Sequence, residues 1–196
     1  MSSFFDYKQV YPELEHLKIN INDIISELEQ YNSNWYNWPE KDLYLGLTDW
    51  KIIPMYGFNV WVDSVVPHFP KTIQMLKQIK GLRTAIFSAL GPKTILKPHY
   101  GWPILANDVL RCHLGLIVPE NCGIWVENEK HEQKYGEWLV FDDSKLHSGF
   151  NMSEQKRIVL LLDIERPINV PKGQSKGHET NELGEFIEYF LNKQKK

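Results

Sequence analysis

The spacing of apolar residues changes character along this chain. Between residues 12 and 31, Leu14, Leu17, Ile21, Ile24, Ile25 and Leu28 recur at helical intervals, with Ile19 and the Asn22-Asp23 pair as a point of division. Residues 32–66 are crowded with Trp, Tyr, Pro and Gly and predict irregular or short-stranded chain. Residues 70–80 predict a helix: Pro70 suits a first turn, Ile73, Leu76 and Ile79 share a face, and Gly81 stops the pattern. From residue 83 the period becomes two. It predicts strands over 83–90, 94–100, 109–118, 123–127, 138–142, 145–150 and 156–165, punctuated by Gly91-Pro92, Pro119-Glu120-Asn121 and Tyr135-Gly136. Residues 166–181 read as a polar connector, and Leu183, Phe186, Ile187 and Phe190 predict a last amphipathic helix. Many short strands separated by turn signals point to a sandwich or barrel. The expected organisation is one domain, with a helical and irregular buttress over 1–82, a β core over 83–166, and a connector and helix over 167–196.

Two of the predicted strands are apolar on both faces yet carry cations. In residues 109–118, Leu110, Cys112, Leu114 and Leu116 alternate with Arg111, His113, Gly115 and Ile117. In residues 157–165, Ile158, Leu160, Leu162 and Ile164 alternate with Arg157, Val159, Leu161 and Asp163. A buried guanidinium needs an anionic or hydrogen-bonded partner. Asp163 is six residues from Arg157, too far along one strand to pair with it, and nothing near Arg111 in sequence serves that residue. A bound dicarboxylate would suit both.

Composition narrows the function. The chain has 196 residues, 42% hydrophobic and 24% charged, with a net charge of −3, which gives no electrostatic pull toward nucleic acid or an anionic membrane. The 7 Trp, 9 Tyr and 9 Phe predict a large core, an aromatic-lined pocket, or both. Cys112 and Cys122 make neither a disulfide framework nor a CxxC metal motif, and Cys112 is expected as a buried free thiol. The sequence shows no secretory signal and no window of apolar residues long enough to span a bilayer, so a cytoplasmic protein without a membrane anchor is expected.

Three residues carry the candidate chemistry. His99 closes a predicted strand in KPHYG, His147 lies in FDDSKLHSGFN, and Arg157 follows ten residues later at the start of the next strand. Two imidazoles on separate strands suit iron(II), and an arginine beyond them offers a planar fork to a distal carboxylate. Their setting resembles the aspartyl/asparaginyl β-hydroxylase family of 2-oxoglutarate oxygenases, which includes bacterial lipid A hydroxylases. The resemblance runs from about Trp50 to Pro167 and rests on WKIIPMYGFNVWV, FSALGPKTILKPHYG, NDVLRCHLGLIVPENC, GEWLVFDDSKLHSGFN and RIVLLLDIERP in that order.

The resemblance implies a double-stranded β-helix (a cupin-like jelly roll), with Fe(II), 2-oxoglutarate and O2 as the reacting set. It implies that His99 and His147 bind the metal and that Arg157, helped by Ser88, holds the C5 carboxylate of the oxo acid. Arg111 and His113 then belong near its C1 end. The position two after the first histidine, acidic in most related oxygenases, is Gly101 here, as in this family. Peptide-hydroxylating members carry a basic residue where this chain has Val109, which draws it toward the bacterial branch. Trp102 and Asn107, in the loop after His99, are candidates to meet substrate, with packing as the alternative. Asp142 and Asp143 point to opposite sides and cannot act as a carboxylate pair; they read as turn residues supporting the site. His16, His68, His131 and His178 read as surface or structural histidines. The expected substrate is an amino acid, a peptide or an acyl group; the expected lack of a membrane anchor weakens a lipid and favours a free or carrier-bound amino acid or a short peptide. A jelly-roll domain that binds a small carboxylic acid without catalysis is the alternative.

Overall fold

The computed structural model describes residues 2–44 and 49–177. Twelve strands run in chain order: β1 (Phe4–Phe5), β2 (Tyr36–Asn37), β3 (Trp50–Gly57), β4 (Val60–Trp61), β5 (Leu82–Leu90), β6 (Thr94–Ile95), β7 (Val109–Ile117), β8 (Cys122–Val126), β9 (Glu129–Glu132), β10 (Trp138–Phe141), β11 (His147–Asn151) and β12 (Arg157–Glu165). They form two antiparallel sheets. The larger has the order β1-β10-β7-β12-β5-β3-β2, with β4 beside β3, and the smaller has the order β6-β11-β8-β9. The period-two segments predict a sandwich or barrel, and the architecture is the jelly roll that the family resemblance implies. Helices α1 (Tyr7–Val10), α2 (Glu15–Ile19), α3 (Ile21–Gln30), α4 (Pro70–Leu76) and α5 (Pro103–Ala106), with 3-10 turns at Pro12–Leu14, Lys41–Leu43 and Val66–His68, complete the described elements.

Alternation along β7 and β12 sorts side chains to the two faces of the large sheet. On one face Leu110, Cys112, Leu114, Leu116, Ile158, Leu160, Leu162 and Ile164 join Phe87, Met55 and Trp138 against the helices, through Leu14, Leu17, Ile24, Ile73 and Leu76. Each fully buried aliphatic side chain there contributes roughly 1.5–3 kcal/mol of transfer free energy. The other face looks toward the small sheet and carries Ser88, Arg111, His113, Arg157, Leu161 and Asp163. The helical segment of residues 12–31 does divide, with Asn20 as the cap between α2 and α3.

Three expectations change. Residues 50–57 form a long strand inside the large sheet rather than an irregular buttress; Pro54 hid it, and the register shift between Pro54 and Tyr56 is the bulge that accommodates a residue without an N–H. The strand expected over 94–100 shrinks to Thr94–Ile95, because Pro98 removes a donor. Pairing resumes at one isolated bridge, between His99 and His147. Residues 166–177 are not a loose connector but lie along the loop that follows His99, with Gly173 N–H donating to Asn107 O at 2.8 Å. The helix expected over 182–191 lies outside the described residues. Among the described residues Cys112 and Cys122 are free and buried, and no helix is long and apolar enough to cross a membrane.

Candidate metal and oxo-acid site

A narrow cavity between the two sheets gathers His99, His147, Ser88, Arg111, His113 and Arg157, walled by Trp50, Leu90, Leu96, Ile124, Phe141 and Leu161. The two histidines are joined by backbone: His99 N–H donates to His147 O and His147 N–H to His99 O, each at 2.9 Å. Their ring centroids are 4.3 Å apart. In both rings Nδ1 faces a carbonyl two residues earlier, Lys97 O at 2.7 Å and Lys145 O at 2.8 Å. A proton on each Nδ1 leaves each Nε2 with a free lone pair, the tautomer that metal binding needs. Burial pushes the His99 imidazole down to about 3, helped by His147. Burial likewise pushes His147 down to about 4. Both imidazoles are therefore neutral near neutral pH, the form in which a histidine can bind a metal.

Asp143 stands between these rings and Arg111. Its Oδ1 lies 3.2 Å from His147 Nε2 and 2.7 Å from Arg111 Nη1. Burial pushes this carboxyl up to about 6, against the pull of Arg111. A carboxylate oxygen facing an imidazole lone pair calls for a proton or a cation near both. Gly101 explains how Asp143 fits: a Cβ at residue 101 would sit 1.9 Å from Asp143 Oδ2. The carboxylate therefore occupies the space that an acidic side chain at 101 would claim. Gly101 N–H also donates to Asp143 O at 2.8 Å, tying the two loops together. Among the described residues no three His, Cys, Asp or Glu side chains close into a ready-made ion cage. Asp143 is held by Arg111, and the chain itself offers two imidazoles.

Arg111 is not short of partners. Its Nε donates to Asp163 Oδ1 at 2.8 Å and its Nη2 to Asp163 Oδ2 at 3.1 Å, across the register that sets Asp163 opposite Arg111. Nothing near Arg111 in sequence serves it, as expected; its partner comes from the neighbouring strand, 52 residues away, so a bound acid is not needed to pair this charge. Burial opposes the charge, yet Asp143 and Asp163 hold this guanidinium above its ordinary range. Arg157 differs. It is buried, Nη1 donates to Gly123 O at 3.1 Å, and Nε has no partner. Burial pushes Arg157 down to about 10. Both ring nitrogens of His113 are likewise buried and unpaired, and burial followed by the Arg157 and Arg111 charges drives this imidazole well below its usual value. Ser88 Oγ accepts from Trp50 Nε1 at 3.0 Å, leaving its own proton for another acceptor. Unpaired buried donors are rare and costly, and here they lie along one cavity whose far end holds two imidazoles. This donor set fits an anionic chelate beside a transition metal.

Trp102 and Asn107 part company. Trp102 stacks on Trp38 at 5.5 Å, and Trp38 stacks on Trp50 at 4.3 Å. Trp38 and Trp102, with Phe58, Leu105 and Ile86, line a mostly apolar slot that shares Arg111 and Leu161 with the histidine-lined cavity. Asn107 is occupied elsewhere: its Oδ1 accepts from Ser175 N–H at 2.6 Å and its Nδ2 donates to Ser175 O at 3.3 Å. Both ends of the amide are used, so Asn107 clasps the Ser175 backbone. Asp142 and Asp143 do diverge, the first toward Arg166 and the second toward Arg111.

The family model for aspartyl/asparaginyl beta-hydroxylase matches residues 18–167. The chain belongs to the aspartyl/asparaginyl β-hydroxylase family. It is 38% identical over 127 residues to an ornithine lipid ester-linked acyl 2-hydroxylase of Rhizobium tropici, covering 63% of this chain and 44% of that protein. It is 29% identical over 170 residues to aspartate beta-hydroxylase domain-containing protein 2 of Xenopus tropicalis, covering 79% and 45%. The chain thus spans less than half the length of these relatives. A 2OG-Fe(II) oxygenase family oxidoreductase from Burkholderia pseudomallei superposes with a TM-score of 0.57 at 10% identity, covering 81% of this chain and 82% of that one. A Pseudomonas putida prolyl-4-hydroxylase does so with 0.50 at 11%, covering 76% and 88%. At such identities the two structures bear on fold, and both agree with the jelly roll of this family member.

Proposed function

We infer that this hydroxylase-family chain is an Fe(II)- and 2-oxoglutarate-dependent dioxygenase that converts an unactivated C–H bond to C–OH. One O2 and one 2-oxoglutarate are consumed per hydroxylation, with succinate and CO2 released. The observation that carries this reading is the set of unpaired buried polar groups in one cavity, Arg157 Nε–H and the His113 ring, whose donor and acceptor nitrogens both lack partners, beside two histidines whose Nδ1 atoms donate to backbone carbonyls. When bound, iron(II) supplies the redox chemistry that couples decarboxylation of the oxo acid to oxygen insertion. His99 and His147 hold it. Arg157 and Ser88 take the distal carboxylate, which repairs the desolvation of a guanidinium with one protein partner. His113 donates toward the proximal carboxylate. Arg111, anchored by Asp163, keeps Asp143 beside the metal position and away from solution. Phe141, Leu161 and Ile124 exclude water from the reacting atoms.

An acyl chain is the substrate class we favour. The aromatic slot beside the metal cavity is apolar, it would desolvate a zwitterion at a cost, and the 38% identical relative is named for acyl 2-hydroxylation. A free amino acid or short peptide is the second class, favoured by the Arg111 guanidinium at the floor of that slot. The test is anaerobic addition of Fe(II) and 2-oxoglutarate, read as a weak visible charge-transfer band, followed by succinate release in air. The wild-type chain is expected to give both, and His147→Ala neither. Oxo-acid binding without the band would leave a binding domain instead.

A further inference from the structure

The loops that carry His99 and His147 are also held from outside the cavity, by a residue that faces away from the metal. Arg166 follows β12 and is buried, with its side chain 6% exposed. Its Nη1 donates to Asp142 Oδ2 at 3.1 Å, and its Nη2 also pairs with the Asp142 carboxylate. The same guanidinium donates to Ser144 Oγ at 3.3 Å, Ala106 O at 3.1 Å and Pro171 O at 3.1 Å. Asp142 and Ser144 flank Asp143 and lead into His147. Ala106 ends the short helix that follows His99 and Gly101. One planar group thus spans both ligand-bearing loops and the chain segment that covers them.

The covering segment is seated as closely. A Cβ at Gly173 would lie 2.5 Å from Ser144 Oγ and 2.7 Å from Arg166 Nη2. Ser175 Oγ donates to Gly101 O at 2.5 Å. Side chains that orient metal ligands without touching the ion alter affinity by roughly 10–100-fold when removed, and a fork with five fixed donors sets the distance between the groups it joins in a way that a lysine cannot.

We propose that Arg166 is a positioning residue for the metal site, fixing the Asp142–Ser144 turn against the Gly101–Ala106 segment and thereby the spacing of His147 and Asp143 from His99. This rests on the reading of His99 and His147 as metal ligands. The test uses Co(II) alone as probe, with visible ligand-field bands and a titrated Kd, alongside the thermal midpoint of each metal-free variant. Arg166→Lys is expected to weaken Co(II) binding about ten-fold or more and to shift the bands, with kcat falling while the KM for 2-oxoglutarate stays near wild type. Asp142→Asn keeps the shape, weakens one partner, and is expected to fall between; it carries the test if Arg166→Lys does not fold. Lys172→Ala, which removes an exposed ion pair to Asp108 on the same segment, is expected to change nothing. A folded Arg166→Lys or Asp142→Asn that binds Co(II) with wild-type affinity and bands overturns the proposal. Failure of the wild-type chain itself to bind Co(II) overturns the functional reading, and this proposal with it.

Discussion

The two faces of β12 do different work. On the helix side, Ile158, Leu160, Leu162 and Ile164 are buried among other apolar side chains. On the sheet side, Arg157 and Asp163 are equally buried, yet one has an unpaired Nε and the other serves two donors of Arg111. Packing density has no use for the second face. A guanidinium and an imidazole without full partners raise the free energy of the native state, and a ligand that satisfies them recovers that loss on binding. The contrast teaches that stability and ligand recognition are separated here by one residue of strand register, since neighbouring side chains point to opposite sides.

That separation can be broken most visibly on the helix side. Leu160→Ala should cost about 3 kcal/mol of unfolding free energy, measured by urea denaturation, while oxo-acid affinity of the folded protein stays unchanged. A loss of affinity comparable to the loss of stability would mean that the faces are not independent. The reverse experiment is Arg157→Met. It should lower 2-oxoglutarate affinity by roughly 2–3 kcal/mol or more, because a charge-assisted pair is lost. The ligand-free protein should be as stable as wild type or more so, because a poorly paired buried charge has gone. Thermal unfolding with and without the oxo acid reads both, and a strongly destabilised ligand-free variant would contradict the assignment.

A smaller effect sharpens the comparison through pH. In the unfolded chain His99 and His147 titrate near 6.5, whereas burial holds them at about 3 and about 4 in the folded protein. As pH falls from about 6.5 toward 4, the unfolded chain binds protons that the folded one refuses, so metal-free stability should decline. Asp143, raised from 3.8 to about 6, acts oppositely, since the folded state takes its proton first. His113, held well below its usual value, acts in the same sense as the other two, so three imidazoles against one carboxyl leave a net loss on acidification. Urea midpoints at pH 7, 6 and 5 check this, and His147→Ala should flatten the slope.

Much of this is legible in the sequence alone, for a physical reason. Alternation over nine residues in β7 and β12 is a strong signal, and it separated Arg111 and His113 from Leu110 and Cys112 correctly. Pro54 disguised β3, because a bulge can be recognised only when the partner strand is known. The Arg111–Asp163 pair was hidden for the same kind of reason: 52 residues separate them, and only the cross-strand register makes them neighbours. Asn107 and Arg166 were missed as parts of a clasp because a polar connector leaves no periodic trace, and its order comes from tertiary hydrogen bonds.

Gly101 makes the third acidic group a matter of exchange. An aspartate there would have to displace the Asp143 carboxylate, because its Cβ would fall 1.9 Å from Asp143 Oδ2 and 2.7 Å from Ala106 Cβ. Removing Asp143 first would deprive the buried Arg111 of one of its two carboxylates. A carboxylate at 101 and one at 143 therefore compete for the same space beside the two imidazoles.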